Sequence, residues 1–367
     1  MGVPFYNFTD IHDADLKKRF LERVENIYDT NGFVEGEFNR SFEKRFAQKQ
    51  GAKHALLVAN GTDALEISLL ASGIRAGDKV GVPGITFYAS AEAILNVGAE
   101  PVFIDVDSTT GLMDPQSTKR VIENYDLKAI MPVHIYGLPA AVEEVQQFCD
   151  ERHVAIIEDA AQAQGAFLKE GPMGSSRNLT IFSFYPTKNL AAFGDAGAVL
   201  TQDDDMALKI KTIRNHGRSE LEMLGRNSRC DHIQAAILDL KLDNISDFNR
   251  GRKKAATLYH QALGTSGLTI NLIPQKYLES SSWHLYPIQL ESRETREKMQ
   301  AFFKKNEIGC TPFYDQALHQ MKVLNKFSGE TENAEKFAGC TLCLPINPLL
   351  KASEVEEVVE TIRKFFQ

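Results

Sequence analysis

Lysines prefer solvent, so a lysine on a turn directly behind an apolar strand is the first residue that could do chemistry. Lys188 stands in that position, in Ser183-Phe184-Tyr185-Pro186-Thr187-Lys188-Asn189. A partly buried lysine has a lowered pKa and becomes a nucleophile able to form a Schiff base. Ser183, on the same segment, can donate to a phosphate. Gly194-Asp195-Ala196-Gly197 follows as a tight turn that leaves space around the lysine. Read alone, a surface lysine is the simpler account of the segment.

Two further segments change that reading. In Ile156-Ile157-Glu158-Asp159-Ala160-Ala161-Gln162-Ala163, a strand delivers carboxylates to its C-terminal tip and small residues follow. A buried carboxylate there needs a cationic partner. A protonated pyridine nitrogen would serve, and would keep such a ring an electron sink. The plain alternative is a helix cap at a strand end. In Asn60-Gly61-Thr62-Asp63-Ala64-Leu65, Gly61 allows a sharp turn, and a helix starting near Thr62 offers free N–H groups and a positive dipole end to a phosphate. An ordinary N-cap at Asn60 or Thr62 reads as well. Together, a phosphate cup, a strand-tip aspartate and a turn lysine are what a pyridoxal-phosphate transaminase requires.

The elements that must position these residues follow from the apolar pattern. Ala55–Ala59, Lys79–Val82, Pro101–Asp105, Ala129–Val133, Val154–Ile157 and Thr180–Phe184 are short apolar runs, several separated by segments of helical period such as Thr62–Leu70 and Ala141–Asp150. Such alternation predicts an α/β fold, a mostly parallel sheet with helices on both faces and ligands beyond the strands' C-terminal ends. Gly197–Thr201 follows a turn rather than a helix, which allows an antiparallel strand. We expect an N-terminal arm and helix over 1–40, a large domain over 41–245 and a smaller α+β domain over 246–367. The chain has 367 residues and a net charge of −8, which favours solubility and argues against a nucleic-acid surface. The start has no basic, long apolar stretch of a signal peptide, no run approaches a membrane span, and the five cysteines are odd and scattered, so a cytoplasmic protein with reduced thiols is expected. Cys340 and Cys343 form a lone C-x-x-C without further ligands nearby, and are read as core residues rather than a metal site.

The segments Ala59–Leu65, Pro83–Phe87, Pro132–Gly137, Ile157–Ala166, Phe182–Gly197 and Asn227–Leu238 together resemble the DegT/StrS family of nucleotide-sugar aminotransferases, of the aspartate-aminotransferase fold (fold type I). The resemblance runs in order along nearly the whole chain. It implies that Lys188 binds pyridoxal 5'-phosphate covalently and shuttles the proton. It also implies that Asp159 keeps the pyridine nitrogen protonated, Gln162 contacts the ring hydroxyl and Phe87 stacks on the ring. Gly61, Thr62 and Ser183 would bind the phosphate, and Asn227 would reach the phosphate of a neighbouring subunit in a homodimer with shared active sites. Arg229 and Tyr185 are candidates for substrate contact, as are Tyr314 and His319, because Phe313-Tyr314 stands where many relatives have His-Tyr. Cys230 replaces the usual Leu or Met. The implied donor is L-glutamate and the acceptor a nucleotide-linked keto sugar, in amino-sugar or polysaccharide biosynthesis. Asn227-Ser228-Arg229 followed by Asp231 resembles relatives that aminate C3 more than those acting at C4.

Competing readings are a pyridoxal-phosphate sugar dehydratase, which in this fold carries histidine at the lysine position, and a non-catalytic regulator that binds a sugar nucleotide. A dinucleotide enzyme would need G-x-G-x-x-G after the first strand, which Asn60–Leu65 lacks. His134 and His216 stay open between structural and site roles, and Trp283 reads as core.

Overall fold

The computed structural model describes residues 2–9, 11–218 and 223–367. Two helices, α1 (Ala14–Thr30) and α2 (Glu37–Gln50), precede the first strand. The large sheet is built from β1 (His54–Val58), β2 (Lys79–Pro83), β3 (Glu100–Ile104), β4 (Leu127–Ile130), β5 (Ala155–Asp159), β8 (Leu179–Ser183) and β9 (Gly197–Thr201). A two-stranded ribbon, β6 (Phe167–Leu168) with β7 (Gly171–Pro172), interrupts the run between β5 and β8. The intervening helices are α3 (Gly61–Ala71), α4 (Ala89–Asn96), α5 (Pro115–Asn124), α6 (Glu143–Glu151) and α7 (Asp204–Ile213). Towards the C-terminus come α8 (His232–Lys241), α9 (Ile245–Gly264), α10 (Tyr277–Ser280), α11 (Arg293–Lys305), α12 (Glu332–Cys340) and α13 (Ala352–Phe365). With them goes a three-stranded antiparallel sheet of β10 (Asn271–Leu272), β11 (Tyr286–Gln289) and β12 (Thr341–Leu344).

The large sheet has the order β1-β9-β8-β5-β4-β2-β3. Its pairs β2·β3, β2·β4, β4·β5 and β5·β8 are parallel, and β9 runs against both β8 and β1. The mostly parallel sheet predicted by the alternation of runs is therefore present, and the strand after the Gly194–Gly197 turn is antiparallel. Residues 184–196, which join β8 to β9, hold no helix to carry a crossover over the sheet, and β9 returns directly beside β8. The strands read as near-continuous apolar runs because both faces of the sheet are covered.

Local chemistry sets the helix starts that face the site. The Asn60 side chain accepts from the N–H of Asp63 at 2.7 Å and begins α3 at Gly61. Alternation along β8 then sorts its last residues. Phe182 and Phe184 bury into a ring cluster with Phe42 and Phe46 of α2, at centroid distances of 5.1–5.3 Å. Ser183, between them, faces the opposite way, towards the start of α3. Burial of two phenylalanines thus aims one serine.

The same alternation splits the end of β5. Glu158 is wholly buried and accepts from His134 Nε2 at 3.0 Å, from Asn178 Nδ2 at 2.9 Å and from Ser176 Oγ. His134 Nδ1 accepts the Ala140 N–H at 2.9 Å, so its proton sits on Nε2 and points at the carboxylate. Burial pushes Glu158 up, but hydrogen bonds from His134, then Ser176 and Asn178, outweigh it and hold it below the ordinary glutamate value. His134 is a satisfied structural histidine. Glu158→Gln supplies one acceptor oxygen where two are used, and should cost about 2–4 kcal/mol in urea unfolding. Because the folded pKa is depressed, Glu158 stabilises above its unfolded value, and that contribution is lost as pH falls through the folded one. The wild type should therefore lose stability in acid more steeply than the variant.

Candidate active site

Asp159 closes β5 on the other side of the chain from Glu158 and is 4% exposed. Its Oδ1 accepts the Ala161 N–H at 3.0 Å, and its Oδ2 accepts the Ser90 hydroxyl at 2.9 Å. Ser90 in turn lies 3.0 Å from Thr86 Oγ1. Burial raises the Asp159 pKa, while those hydrogen bonds and the charge of Lys188 act against it. Two neutral donors do not balance a buried carboxylate, so the site favours a further positive charge.

Lys188 is half-buried on the turn after β8, with its N–H on the Tyr185 carbonyl at 2.8 Å. Loss of solvation lowers its pKa to about 8, the charge of Asp159 pulling the other way. Nearby His284 is driven well below the ordinary value by burial first, then by Lys188 and Arg252, so it is neutral. Its Nδ1 lies 3.2 Å from Asn189 Oδ1. Asn189 spends its Nδ2 on Asn249 Oδ1 and the Ser282 carbonyl, which leaves oxygen facing the imidazole and puts the proton on Nδ1.

The cup expected at Asn60-Gly61-Thr62 lies against Ser183. A Cβ on Gly61 would fall 2.7 Å from Ser183 Cβ, and one on Gly197 would fall 2.4 Å from the Asn60 carbonyl oxygen. Glycine is required at both places by this close approach of backbone to its neighbours. The first-turn N–H groups of Gly61 and Thr62 have no intrahelical acceptor, and the helix dipole adds positive potential there. These residues fit a phosphorylated, cationic ring: the cup offers anion donors, Asp159 a buried carboxylate and Lys188 an amine of lowered pKa.

Gln162, Phe87 and Tyr314 join the group. Gln162 Oε1 accepts the Tyr136 N–H at 2.7 Å and its Nε2 donates to the Tyr314 hydroxyl at 3.2 Å. Phe87 is 48% exposed, with its ring 6.2 Å from that of Tyr314. Burial, then the charge of Asp159, pushes the Tyr314 phenol far up. Phe313 packs its ring 6.0 Å from Phe5 of the N-terminal arm, and its carbonyl accepts the Tyr136 hydroxyl.

The side chains of the other candidates make no described hydrogen bond to Lys188 or Asp159. Asn227 is exposed and accepts from its own Arg229 Nη2 at 3.0 Å, with no described contact to the cup. Tyr185 is half-exposed. His319 is engaged by Glu335 at 2.7 Å and sits by the Phe103 ring, with no described contact to Tyr314 or Lys188. His216 has φ 62° and donates its N–H to the Arg226 carbonyl. Cys230 and Cys343 are buried. Among the described residues no group of three or more His, Cys, Asp and Glu could hold a metal. Sequence reasoning missed Ser90. It stopped at Phe87, one helical turn short, and a serine three residues after Phe87 was the available signal.

The model of the DegT/DnrJ/EryC1/StrS aminotransferase family matches residues 14–363, and the chain belongs to that family. The UDP-N-acetyl-3-dehydro-alpha-D-glucosamine 3-aminotransferase of Acidithiobacillus ferrooxidans is 35% identical, over 96% of this chain and 95% of the relative. A protein of Geobacillus stearothermophilus named a pleiotropic regulatory protein is 34% identical, over 100% of this chain and 99% of the relative. Among solved structures, S. venezuelae DesV in complex with a ketimine intermediate has a TM-score of 0.93 and 31% identity, covering 99% of this chain and 98% of that one.

Two measurements check the electrostatics. Capture of pyridoxal phosphate by the cofactor-free protein requires the neutral amine. Its rate should therefore rise with pH through a midpoint near 8 and level off, rather than climbing past 10 as for a free lysine. Ser90→Ala removes one donor from Asp159 and should weaken cofactor binding about three- to tenfold, on the order of 1 kcal/mol, in an equilibrium titration.

Proposed function

We propose that this enzyme transfers an amino group from L-glutamate to the keto group of a nucleotide-linked sugar, using pyridoxal phosphate held by Lys188. The observation that carries the reading is the buried Asp159 beside a lysine of lowered pKa, with the Gly61–Ser183 cup adjoining. When bound, the cofactor supplies an electron sink for the charge left at the carbon that loses its proton. Lys188 Nζ removes that proton and returns it, a task for which a pKa near the working pH is suited. Asp159 keeps the pyridine nitrogen protonated, and Ser90 and Ala161 keep the carboxylate in place. Gly61, Thr62 and Ser183 hold the phosphate, Phe87 covers the ring, and Gln162 orients its hydroxyl while bracing Tyr314.

A homodimer is part of the proposal. Asn227 has its side chain exposed and turned to its own Arg229, which suits a contact made across to a second copy. Phe87, Tyr88 and Tyr185 are exposed by 46–50%, a rim that a partner would cover. We place the amination at C3, the position named for the A. ferrooxidans relative. No helix among the described residues is long and apolar enough to cross a membrane, and we place the protein in the cytoplasm, where sugar nucleotides are made.

The test incubates the purified protein, cofactor and L-glutamate with 3-keto and 4-keto sugar nucleotides, and follows products by NMR. A 3-amino sugar with release of 2-oxoglutarate is expected, and Lys188→Ala should lower the rate about 10²–10⁴-fold or more. A deoxy sugar without nitrogen would make the protein a dehydratase. Cofactor bound but unreactive towards every donor would favour a regulator, the role for which the G. stearothermophilus relative is named.

A further inference from the structure

Cations in this fold meet carboxylates almost wherever they are drawn inside. Arg23 and Arg45 converge on buried Asp239 at 2.8 and 2.6 Å, and Arg214 reaches Glu43 at 2.7 Å. Among the described residues two buried cations break the pattern. Lys241, the last residue of α8, is 5% exposed and donates to the Ala191 carbonyl at 2.8 Å, with His12 Nε2 at 3.3 Å. Arg252, on α9, is 8% exposed. Its Nη1 donates to the carbonyls of Trp283, His284 and Ile346 at 3.1–3.4 Å, while its buried Nε has no partner.

Both residues line one cavity of about 30 Å³ beneath the N-terminal arm, where Tyr6 and His12 face them, and Lys188 and Asn347 line the same space. Among the described residues no Asp or Glu lines it. Carbonyl dipoles and the Phe193 ring, 5.4 Å from the Lys241 ammonium, are the compensation on hand. Burial lowers Lys241 to about 8 and Arg252 to about 10, the response of charges that lack a counter-charge. A bound anion would reverse both shifts, and would satisfy the Arg252 Nε.

We propose that this cavity binds the carboxylate of the amino donor, with Arg252 and Lys241 as its recognition residues. The assignment rests on the amino-transfer reading. The donor's nitrogen exchanges at Lys188, and its carboxylate is carried on the carbon next to that nitrogen, so it lies within one residue's reach of the lysine that lines the cavity. The space exceeds the roughly 10–15 Å³ that a water needs, and is far too small for a nucleotide. An inorganic anion such as a halide has the same charge chemistry and is the other possible source.

The experiment titrates the cofactor-loaded enzyme with glutarate, a donor-like dicarboxylate without an amino group, and separately with sodium bromide at constant ionic strength. Binding is read by calorimetry and by the cofactor's visible absorbance. Saturable glutarate binding, competed by bromide and at least tenfold weaker in Lys241→Met, is expected, and Arg252→Gln should abolish it. Because Arg252 also holds three carbonyls, Lys241→Met keeps the test readable if that second variant fails to fold. Saturation by bromide alone, weakened in the same variants, upholds the anion site and gives it to an inorganic ion. Absence of saturation by either anion, or glutarate binding unchanged in Lys241→Met, overturns the site. Failure to take up pyridoxal phosphate would instead sink the proposed function, and calorimetry without cofactor would still report on the cavity.

Discussion

A carboxylate held almost out of water at the tip of a central parallel strand is the constraint around which the site is arranged. Asp159 cannot move: its N–H is tied to the Pro132 carbonyl at 2.8 Å and its own carbonyl accepts the His134 N–H at 3.0 Å. Neutral donors hold its oxygens without neutralising them. The sheet order then places β8 directly beside β5, so the turn that ends β8 brings Lys188 into the field of Asp159. Each group is displaced towards its neutral form by burial, and each resists the displacement of the other. A pair left in that condition is poorly compensated as a salt bridge. It is well suited to accept a cationic ring on one side and to release a proton on the other.

Adjacent residues on β5 show the difference between structural and chemical burial of charge. Glu158 finds three side-chain donors, and its pKa falls despite complete burial. Asp159, one residue on, is buried to nearly the same degree, and its pKa rises. The backbone is the same strand and the chemistry of the side chains nearly identical, so the contrast lies in what surrounds them. The closed network secures the strand. The open one leaves binding energy for a ligand, and the rigid neighbour keeps it aimed.

Much of this was legible in the order of residues. Strand-helix alternation carried the fold, because both faces of a parallel sheet must be covered and apolar runs record that. Lys188 and Asp159 stood out because charged residues at the ends of apolar runs break the rule for buried positions. Ser90 did not stand out, since a serine in the first turn of a helix has the ordinary reading of a capping residue. Its partner Asp159 lies 69 residues away, and no local pattern records a contact of that separation. Phe313 stands where many relatives have histidine, and its ring packs on Phe5 of the arm. Packing of an irregular N-terminal segment follows no period, so sequence periodicity could not have found it.

The cations Lys241 and Arg252 were hidden for a related reason. On amphipathic helices, lysines and arginines read as a solvated face. These two escape that reading because α8 and α9 are joined through Leu242 to Asn244, a link short enough to turn the end of one helix and the third turn of the next towards the same space. A chain of net charge −8 can therefore hold a positive interior beside Lys188. Net charge governs solubility and long-range approach, while the field inside a low-dielectric cavity is set by the few groups that line it. An acidic donor approaching this protein would be repelled weakly at a distance, where salt screens the repulsion within about 10 Å. It would be attracted strongly once inside, where no such screening acts. Selectivity for an anion is then decided by the cavity walls, and its orientation by the lysine at one end of them.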